Sequence, residues 1–80
     1  MGRDLYRKSE LEALAAKYAQ NVVTHRGFRP EDLPEIARNQ EWKQASPGQR
    51  EKVCRTIRDM ARVLLIKAGY SRKIVYRNIP

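Results

Sequence analysis

The side chains that could take part in catalysis are few and lie far apart along this chain. The sequence holds one histidine, His25, and one cysteine, Cys54, and its glycines stand singly at positions 2, 27, 48 and 69. Covalent catalysis needs a nucleophile beside a base, and a phosphate-binding loop needs closely spaced glycines. Neither pattern is present, and the paired carboxylates fall where helices are expected to begin. The sequence therefore predicts no enzyme, no cofactor and no metal site.

The basic residues form a clearer pattern. The net charge is +8 at pH 7, and residues 41–80 hold ten Lys/Arg and three Asp/Glu, whereas residues 1–40 hold seven and six. A basic half beside a nearly neutral half indicates attraction to an anionic partner. The cations expected to contact that partner are Lys52, Arg55, Arg58, Arg62, Arg72, Lys73 and Arg77.

These cations favour binding to nucleic acid or to a nucleoprotein complex. Arginine pairs with phosphate, and aromatic side chains such as Tyr70 and Tyr76 can stack on bases. A helix-turn-helix fits poorly, because the helix that would enter the groove is long and the connection before it contains prolines. Glu51 and Asp59 partly neutralise the basic stripe, so ordinary solvated surface charge remains an alternative.

Two long helices are expected to position these side chains. The first is predicted to begin at a Ser-x-x-Glu capping box, Ser9 to Glu12, and to end before Gly27. Its apolar face consists of Leu11, Leu14, Ala15, Tyr18, Ala19, Val22 and Val23. His25 falls in its last turn, where the helix dipole favours a cation, so that residue needs no catalytic role.

The second long helix is predicted between Ser46 and Gly69. Ser46, Pro47 and Gln49 form a strong N-terminal cap, and Gly69 is placed for a left-handed C-terminal cap. The core face is expected to hold Val53, Ile57, Met60, Ala61, Leu64 and Ala68. Cys54 is interpreted as a small buried hydrophobe, which suits a reducing environment.

The remaining segments are expected to be short or extended. Residues 32–38 predict a short helix with Pro34 in its first turn. Residues 1–8 are predicted to form an N-terminal arm. Residues 70–80 are predicted to form an extended or partly ordered basic arm, because they have strand character but no second strand to pair with. The side chains expected to fill the gap between the long helices are Phe28, Leu33, Ile36 and Trp42.

One turn of the second long helix is apolar all round, because Val63 and Ile66 fall on its charged side. Either the C-terminal arm or a second chain must cover this turn. The second case gives an alternative function, a regulator or inhibitor that binds a host protein with an acidic surface, with a homodimer as a further variant. The interface would consist of Val63, Ile66, Tyr70 and Tyr76.

The segment from Glu41 to Lys52, followed by a helix and a Gly-Tyr pair, resembles the start of the last helix in RyR-type domains. It is also similar to short phage-encoded helical proteins. The residues that match are Trp42, Pro47, Arg50, Gly69 and Tyr70. The resemblance implies a compact helical module, of the kind found in phages or mobile elements, that acts by binding.

The patterns together predict one small all-α domain over residues 1–80. It would consist of two long antiparallel helices, a short connecting helix and a basic C-terminal arm. The longest aliphatic run spans only residues 63–66, whereas a membrane-spanning helix needs about 20 residues. We therefore expect a cytoplasmic protein with no membrane contact.

Overall fold

The computed structural model describes residues 5–79, and every regular element in that range is helical. No strand occurs in this part of the chain, so the predicted all-α class is confirmed. A single 3-10 turn, Pro30–Asp32, precedes the second helix. The α-helices are α1 (Lys8–Val22), α2 (Pro34–Ala37), α3 (Gln40–Gln44), α4 (Pro47–Lys67) and α5 (Arg72–Asn78).

The two long helices, α1 and α4, make the most extensive helix–helix contact in the described chain. Their late residues lie together, since Val23 lines the same groove as Leu65 and Ala68. Ahead of α1, the Tyr6 hydroxyl accepts a hydrogen bond of 2.9 Å from Asn39, which caps α3 just ahead of α4. These contacts bring like ends together, so the predicted antiparallel pairing is wrong. An antiparallel pair needs only a short loop, whereas residues 23–46 are long enough to return the chain to its starting end.

The core lies between α1, α4 and the segments that cover them. Ala15, Val22, Ile57 and Ala61 are completely buried where the two long helices meet. Leu33, Ile36 and Trp42 are buried in the connection, as predicted, while Phe28 is half-buried against the same core. The Lys17 ammonium also pairs with the Glu35 carboxylate, which joins α1 to α2.

The start and end of α4 follow the predicted caps. The Gln49 backbone N–H donates to the Ser46 hydroxyl at 3.2 Å, and the Ser46 backbone N–H donates to the Gln49 side chain at 3.1 Å. Gly69 adopts a positive φ of 104°. The Tyr70 N–H then donates to the Leu65 carbonyl, which closes a Schellman motif at the C-terminus of α4. Both ends of α4 are therefore fixed by local sequence.

The start of α1 differs from the prediction. Arg7 rather than Ser9 precedes the helix, and its backbone N–H donates to the Glu10 carboxylate at 2.8 Å. Glu10 thus caps α1 in the role that was assigned to Glu12. The predicted arm over residues 1–8 is also wrong for its described part, because Tyr6 is buried in the core and Lys8 begins the helix. Residues 1–4 lie outside the described range.

The predicted C-terminal arm is instead a helix that folds back on α4. Ser71 caps α5, since its hydroxyl accepts the Ile74 N–H at 3.3 Å. Val75 and Ile79, four residues apart, are 1% and 0% exposed. Strand propensity at Ile74–Tyr76 gives way here, because a helix places Val75 and Ile79 on one face that α4 can bury.

The buried face of α4 is also rotated from the prediction at its C-terminal end. Leu65 is 5% exposed, whereas Leu64, which was expected in the core, is 40% exposed. Ala68 is exposed as well, and Met60 is half-buried. The apolar run at the end of α4 permits either face. Leu65 lies beside the late residues of α1, and Ile66 is half-buried against the core.

Candidate functional site

A cleft with a volume of about 480 Å³ opens beside the middle of α4, between the loop that follows α1 and the end of α5. We call it the arginine cleft, since four arginines lie around it and no carboxylate of the described chain lines it. Its lining consists of Tyr18, Arg26, Gly27, Phe28, Arg29, Pro30, Arg58, Arg77 and Asn78.

The loop after α1 supplies one wall of the arginine cleft. Gly27 turns the chain with a φ of 92°, and the Phe28 N–H donates to the His25 carbonyl at 3.0 Å. The Arg29 N–H donates to the Asp32 carboxylate at 2.9 Å as the 3-10 turn begins. Arg26 and Arg29 flank Phe28 in the sequence, and all three residues line the cleft.

The floor of the cleft is formed by the buried Tyr18 phenol. Tyr18 is 2% exposed, and its ring centroid lies 6.1 Å from that of Phe28. Burial raises the pKa of Tyr18, while the positive charges of Arg58 and Arg62 oppose that shift. Within residues 5–79 the Tyr18 hydroxyl forms no hydrogen bond, and no buried side-chain polar atom in that range lacks a partner, so its oxygen reaches the solvent of the cleft. Tyr18 therefore offers the cleft a hydroxyl that another group can use.

The opposite wall comes from α4 and α5. Arg58 is half-buried on α4, and Arg77 is exposed near the end of α5. Asn78 follows Arg77 and lines the same cleft. Since α5 is short and buries mainly Val75 and Ile79, the position of Arg77 depends on that helix staying against α4.

The arginines around the cleft differ in their pairing. Arg29 lies 3.6 Å from the Asp32 carboxylate and 3.9 Å from that of Glu31. Arg26, Arg58 and Arg77 form no ion pair or hydrogen bond through their guanidinium groups within residues 5–79. Three positive charges from three separate segments thus converge on one cleft without a negative partner in the described chain.

The structure places the seven predicted cations in three settings. Arg58 and Arg77 line the arginine cleft. Lys52 and Arg55 lie exposed on α4, with Arg55 paired to Glu51 at 3.1 Å. The other three belong to the α4–α5 region. Arg72 and Lys73 are exposed in the first turn of α5, which contains no acidic residue, and Arg62 is mostly buried beneath that helix.

Arg62 is engaged inside the protein. Its Nε donates to the Ile79 carbonyl at 3.1 Å, and its guanidinium pairs with Asp59 at 2.6 Å. The same group lies 5.5 Å from the centre of the Tyr76 ring. Arg62 therefore joins α4 to α5, and it does not line the arginine cleft.

Sequence patterns missed Arg26 and Arg29 as site residues. They belong to a loop outside any helical stripe. That loop lies beside α4 because Phe28 packs on Tyr18 and the 3-10 turn that follows, with its buried Pro30, contacts α4. The one local indication was the run of two arginines around a Gly-Phe pair. Such a run does not predict a binding site unless the position of the loop in the fold is known.

The predicted protein interface is divided by the fold. Val63, Tyr70 and Tyr76 are 51%, 41% and 55% exposed, whereas Ile66 is half-buried. A second groove, of about 370 Å³, lies between the late residues of α1 and α4 and is mostly apolar. Tyr76 does not line it and packs on Arg62 instead. That groove, named the apolar groove, is lined by Ala16, Ala19, Gln20, Val23, Leu64, Leu65, Ala68 and Tyr70.

The chemically reactive side chains lie in settings that explain them structurally. Burial raises the pKa of the Cys54 thiol to about 11, and the nearby Glu31 carboxylate acts in the same direction. His25 lies beyond the end of α1, where its Nδ1 is 3.1 Å from the Thr24 hydroxyl. Within residues 5–79, no three His, Cys, Asp or Glu side chains are grouped closely enough to hold a metal ion. In the same range, no helix combines the length and the apolar character needed to cross a membrane.

Comparison with known proteins gives no relative from which a function could be transferred. No family model, curated protein or solved structure matches the chain.

Proposed function

We propose that this protein binds nucleic acid, alone or within a nucleoprotein complex, and catalyses no reaction. The observation that supports this proposal most strongly is the convergence of Arg26, Arg58 and Arg77 on a cleft without a carboxylate. Guanidinium groups pair with phosphate oxygens through two parallel hydrogen bonds. The proposed setting is the cytoplasm, as an accessory protein of the phage or mobile-element type.

The surroundings of the cleft support a partner with repeated negative charges. Helix α5 bears Arg72, Lys73 and Arg77 in only seven residues and has no acidic residue in its first turn. Cations in a first turn oppose the helix dipole, so their placement disfavours the isolated helix. Lys52 and Arg55 continue the positive surface along α4. A strand of phosphates could contact both helices on either side of the cleft.

The test is a binding measurement with single-stranded DNA and RNA at roughly 50 mM salt, in which fluorescence anisotropy reports the bound fraction. The triple variant Arg26→Gln, Arg58→Gln, Arg77→Gln removes three charges from the cleft. We expect it to weaken binding by more than about tenfold, since each lost phosphate contact reduces the electrostatic part of the affinity. Arg62 is left unchanged, because its replacement would also disturb α5.

A matched control removes the same number of charges elsewhere. Lys8, Lys43 and Lys67 are exposed and none of them lines the cleft. Changing all three to Gln should weaken binding far less than the cleft variant does. Equal losses in the two variants would indicate non-specific charge attraction, and no binding by the unmodified protein would exclude the proposed function.

A second candidate function is binding to a host protein, as a regulator or inhibitor. The apolar groove favours it, since Leu64 and Tyr70 on its border are 40% and 41% exposed, and Val63 nearby is 51% exposed. Exposed apolar side chains in one region often mark a protein interface. Ile66 remains part of this hypothesis, although its half-buried position makes Ile66→Asp a poor test, because a charge there would also disturb the core.

Val63→Asp separates this candidate and its homodimer variant from the nucleic-acid proposal. The change lies on an exposed position outside the arginine cleft. If a second copy covers this region, sedimentation should show a dimer that Val63→Asp converts to a monomer, and the melting temperature of the unmodified protein should rise with concentration. A host protein retained after nuclease treatment, and lost in Val63→Asp, would favour the regulator.

A further inference from the structure

The positive charge of the arginine cleft exceeds what one internal phosphate of a strand can neutralise. Arg26, Arg58 and Arg77 are all without an ion pair in the described chain. An internal phosphodiester carries a single negative charge. A phosphate monoester carries nearly two at neutral pH and presents three terminal oxygens as acceptors. The charge of the cleft therefore matches a phosphate at the end of a strand better than one inside it.

The neutral groups of the cleft match the same ligand. The Tyr18 hydroxyl forms no hydrogen bond within residues 5–79, and its oxygen reaches solvent although Tyr18 as a whole is 2% exposed. A polar group in such a setting is satisfied when a bound group or water occupies the space beside it. The Asn78 side chain on the opposite wall also makes no hydrogen bond within the described residues and adds two amide donors. These donors face a space in which oxygen atoms would be the natural acceptors.

The apolar wall and the size of the cleft favour a nucleotide over a free phosphate ion. Phe28 is half-buried and packs on the Tyr18 ring, which leaves part of the aromatic surface facing the cleft. Bases stack on aromatic side chains in most sequence-tolerant complexes with single strands. The volume of about 480 Å³ also falls in the range of sites for small ligands.

The adjacent cavity lacks these properties. It is lined by Trp42, Arg50, Glu51, Cys54 and Arg58, together with Glu31, and it has a volume of about 330 Å³. Two carboxylates face it, so it offers a phosphate little net attraction. The anion site is therefore on the side of Arg58 that faces Arg77.

We infer that the arginine cleft captures the terminal nucleotide of a single strand through its phosphate monoester, with Phe28 beside the base. This inference rests on the proposed nucleic-acid binding and names the part of the ligand that the cleft recognises. Arg26, Arg58 and Arg77 would surround the phosphate from three sides. The basic surfaces of α4 and α5 would hold the next phosphates of the strand.

The experiment compares oligonucleotides of one sequence that carry a 5′-phosphate, a 3′-phosphate or hydroxyl groups at both ends. We expect one phosphorylated end to bind at least about tenfold more tightly than the hydroxyl form, the size of one added charge-assisted hydrogen bond. Arg58→Gln and Arg77→Gln, made singly, should abolish this preference. Arg77 is exposed and unpaired in the described chain, so its replacement should leave the melting temperature unchanged.

Arg72→Gln is the matched control, because Arg72 lies on the same helix but does not line the cleft. It should weaken all three oligonucleotides alike and leave the preference intact. Equal affinity for all three ends would overturn the inference while the proposed function stands. No binding to any of them would overturn both. A preference that survives in Arg58→Gln and Arg77→Gln would place the end elsewhere.

A phosphotyrosine peptide tests the class of ligand. The inference predicts that the peptide competes only weakly with the phosphorylated oligonucleotide, because it lacks the neighbouring phosphates that α4 and α5 would bind. Competition at equal concentration would show that the cleft recognises a phosphate group in general, and the assignment to a strand end would then be wrong.

Discussion

The arginines of this protein divide into those that stabilise the fold and those that face outward without a partner. Arg50 donates to the carbonyls of Trp42 and Lys43 at 3.1 and 2.7 Å, and Arg62 donates to that of Ile79. Both side chains thus join separate segments of the chain. Arg58 and Arg77 make no such hydrogen bonds within the described residues, so their donors are available for a ligand.

The thiol of Cys54 should affect stability only at high pH. Its pKa of about 11 in the folded protein lies above the ordinary value of roughly 8.5 expected when unfolded. The folded state thus favours the neutral thiol, and this stabilisation is complete below about pH 8.5 and is lost as the pH rises through about 11. The urea midpoint should fall more steeply between these values in the unmodified protein than in Cys54→Ala.

A second measurement checks the same residue at neutral pH. The protonated, buried thiol should react with a thiol reagent only as fast as the protein unfolds, and denaturant should restore ordinary reactivity. Rapid labelling of the native protein, or identical pH profiles for the two proteins, would contradict this description of Cys54.

Neighbouring leucines on α4 should have very different effects on stability. Leu65→Ala removes a side chain that is 5% exposed and should cost about 2–5 kcal/mol, whereas Leu64→Ala removes one that is 40% exposed and should cost less than about 1 kcal/mol. Ser46→Ala, which removes the N-terminal cap of α4, should cost about 1 kcal/mol. A urea midpoint that is lower for Leu64→Ala than for Leu65→Ala would contradict the observed buried face.

At the scale of the helices, α5 depends on the contacts that α4 provides. A helix of seven residues is unstable alone in water. Here it is held by the burial of Val75 and Ile79 and by Arg62, which contacts the Tyr76 ring and the Ile79 carbonyl. Since Arg77 lines the arginine cleft, the attachment of α5 also determines whether that cleft is complete.

Arg62→Gln should therefore loosen α5 without unfolding the protein. The variant loses the ion pair, the contact with Tyr76 and the bond to Ile79. The Val75 and Ile79 amide protons should therefore exchange faster than in the unmodified protein, whereas those of α4 should not. Arg55→Gln is the control, since it removes only the exposed pair with Glu51, and such pairs contribute about 0–1 kcal/mol. Unchanged exchange in α5 on replacing Arg62 would show that burial alone holds the helix.

The elements that sequence predicts best are those fixed by their own residues. The caps of α4 at Ser46 and Gly69 involve contacts within a few positions, so the pattern and the structure agree. The direction of α1 relative to α4, and the fold of α5, depend on contacts between distant segments. For that reason residues 74–76 are helical despite their strand propensity, and Leu65 rather than Leu64 is buried in the core.

At the scale of the whole molecule, the sequence predicted only two of the four arginines that line the arginine cleft. The stripe on α4 indicated Arg58, and the basic tail indicated Arg77, but nothing in their spacing shows that they meet. Arg26 and Arg29 join them because the long connection returns along α1 and turns at Gly27. Arg58 and Arg62, four residues apart on one helix, have different surroundings because α5 covers only one of them.

The distribution of charge over the molecule fits the proposed binding to an anionic partner. A net charge of +8 on 80 residues opposes folding through self-repulsion, and the cations on α5 lie in an unfavourable first turn. An anionic partner would relieve both effects. Binding should accordingly raise the melting temperature, and the increase should shrink as salt is added.

The most direct test of the account is the salt dependence of single-strand binding in the unmodified protein and in the cleft variant, Arg26→Gln with Arg58→Gln and Arg77→Gln. Each phosphate contact on a single strand contributes about −0.7 to the slope of log K against log salt. We expect a steep negative slope for the unmodified protein and a slope shallower by about 2 for the cleft variant. The control variant at Lys8, Lys43 and Lys67 should keep the original slope. A cleft variant with an unchanged slope, or an unmodified protein whose binding is absent or independent of salt, would contradict the proposal that this cleft binds the phosphates of nucleic acid.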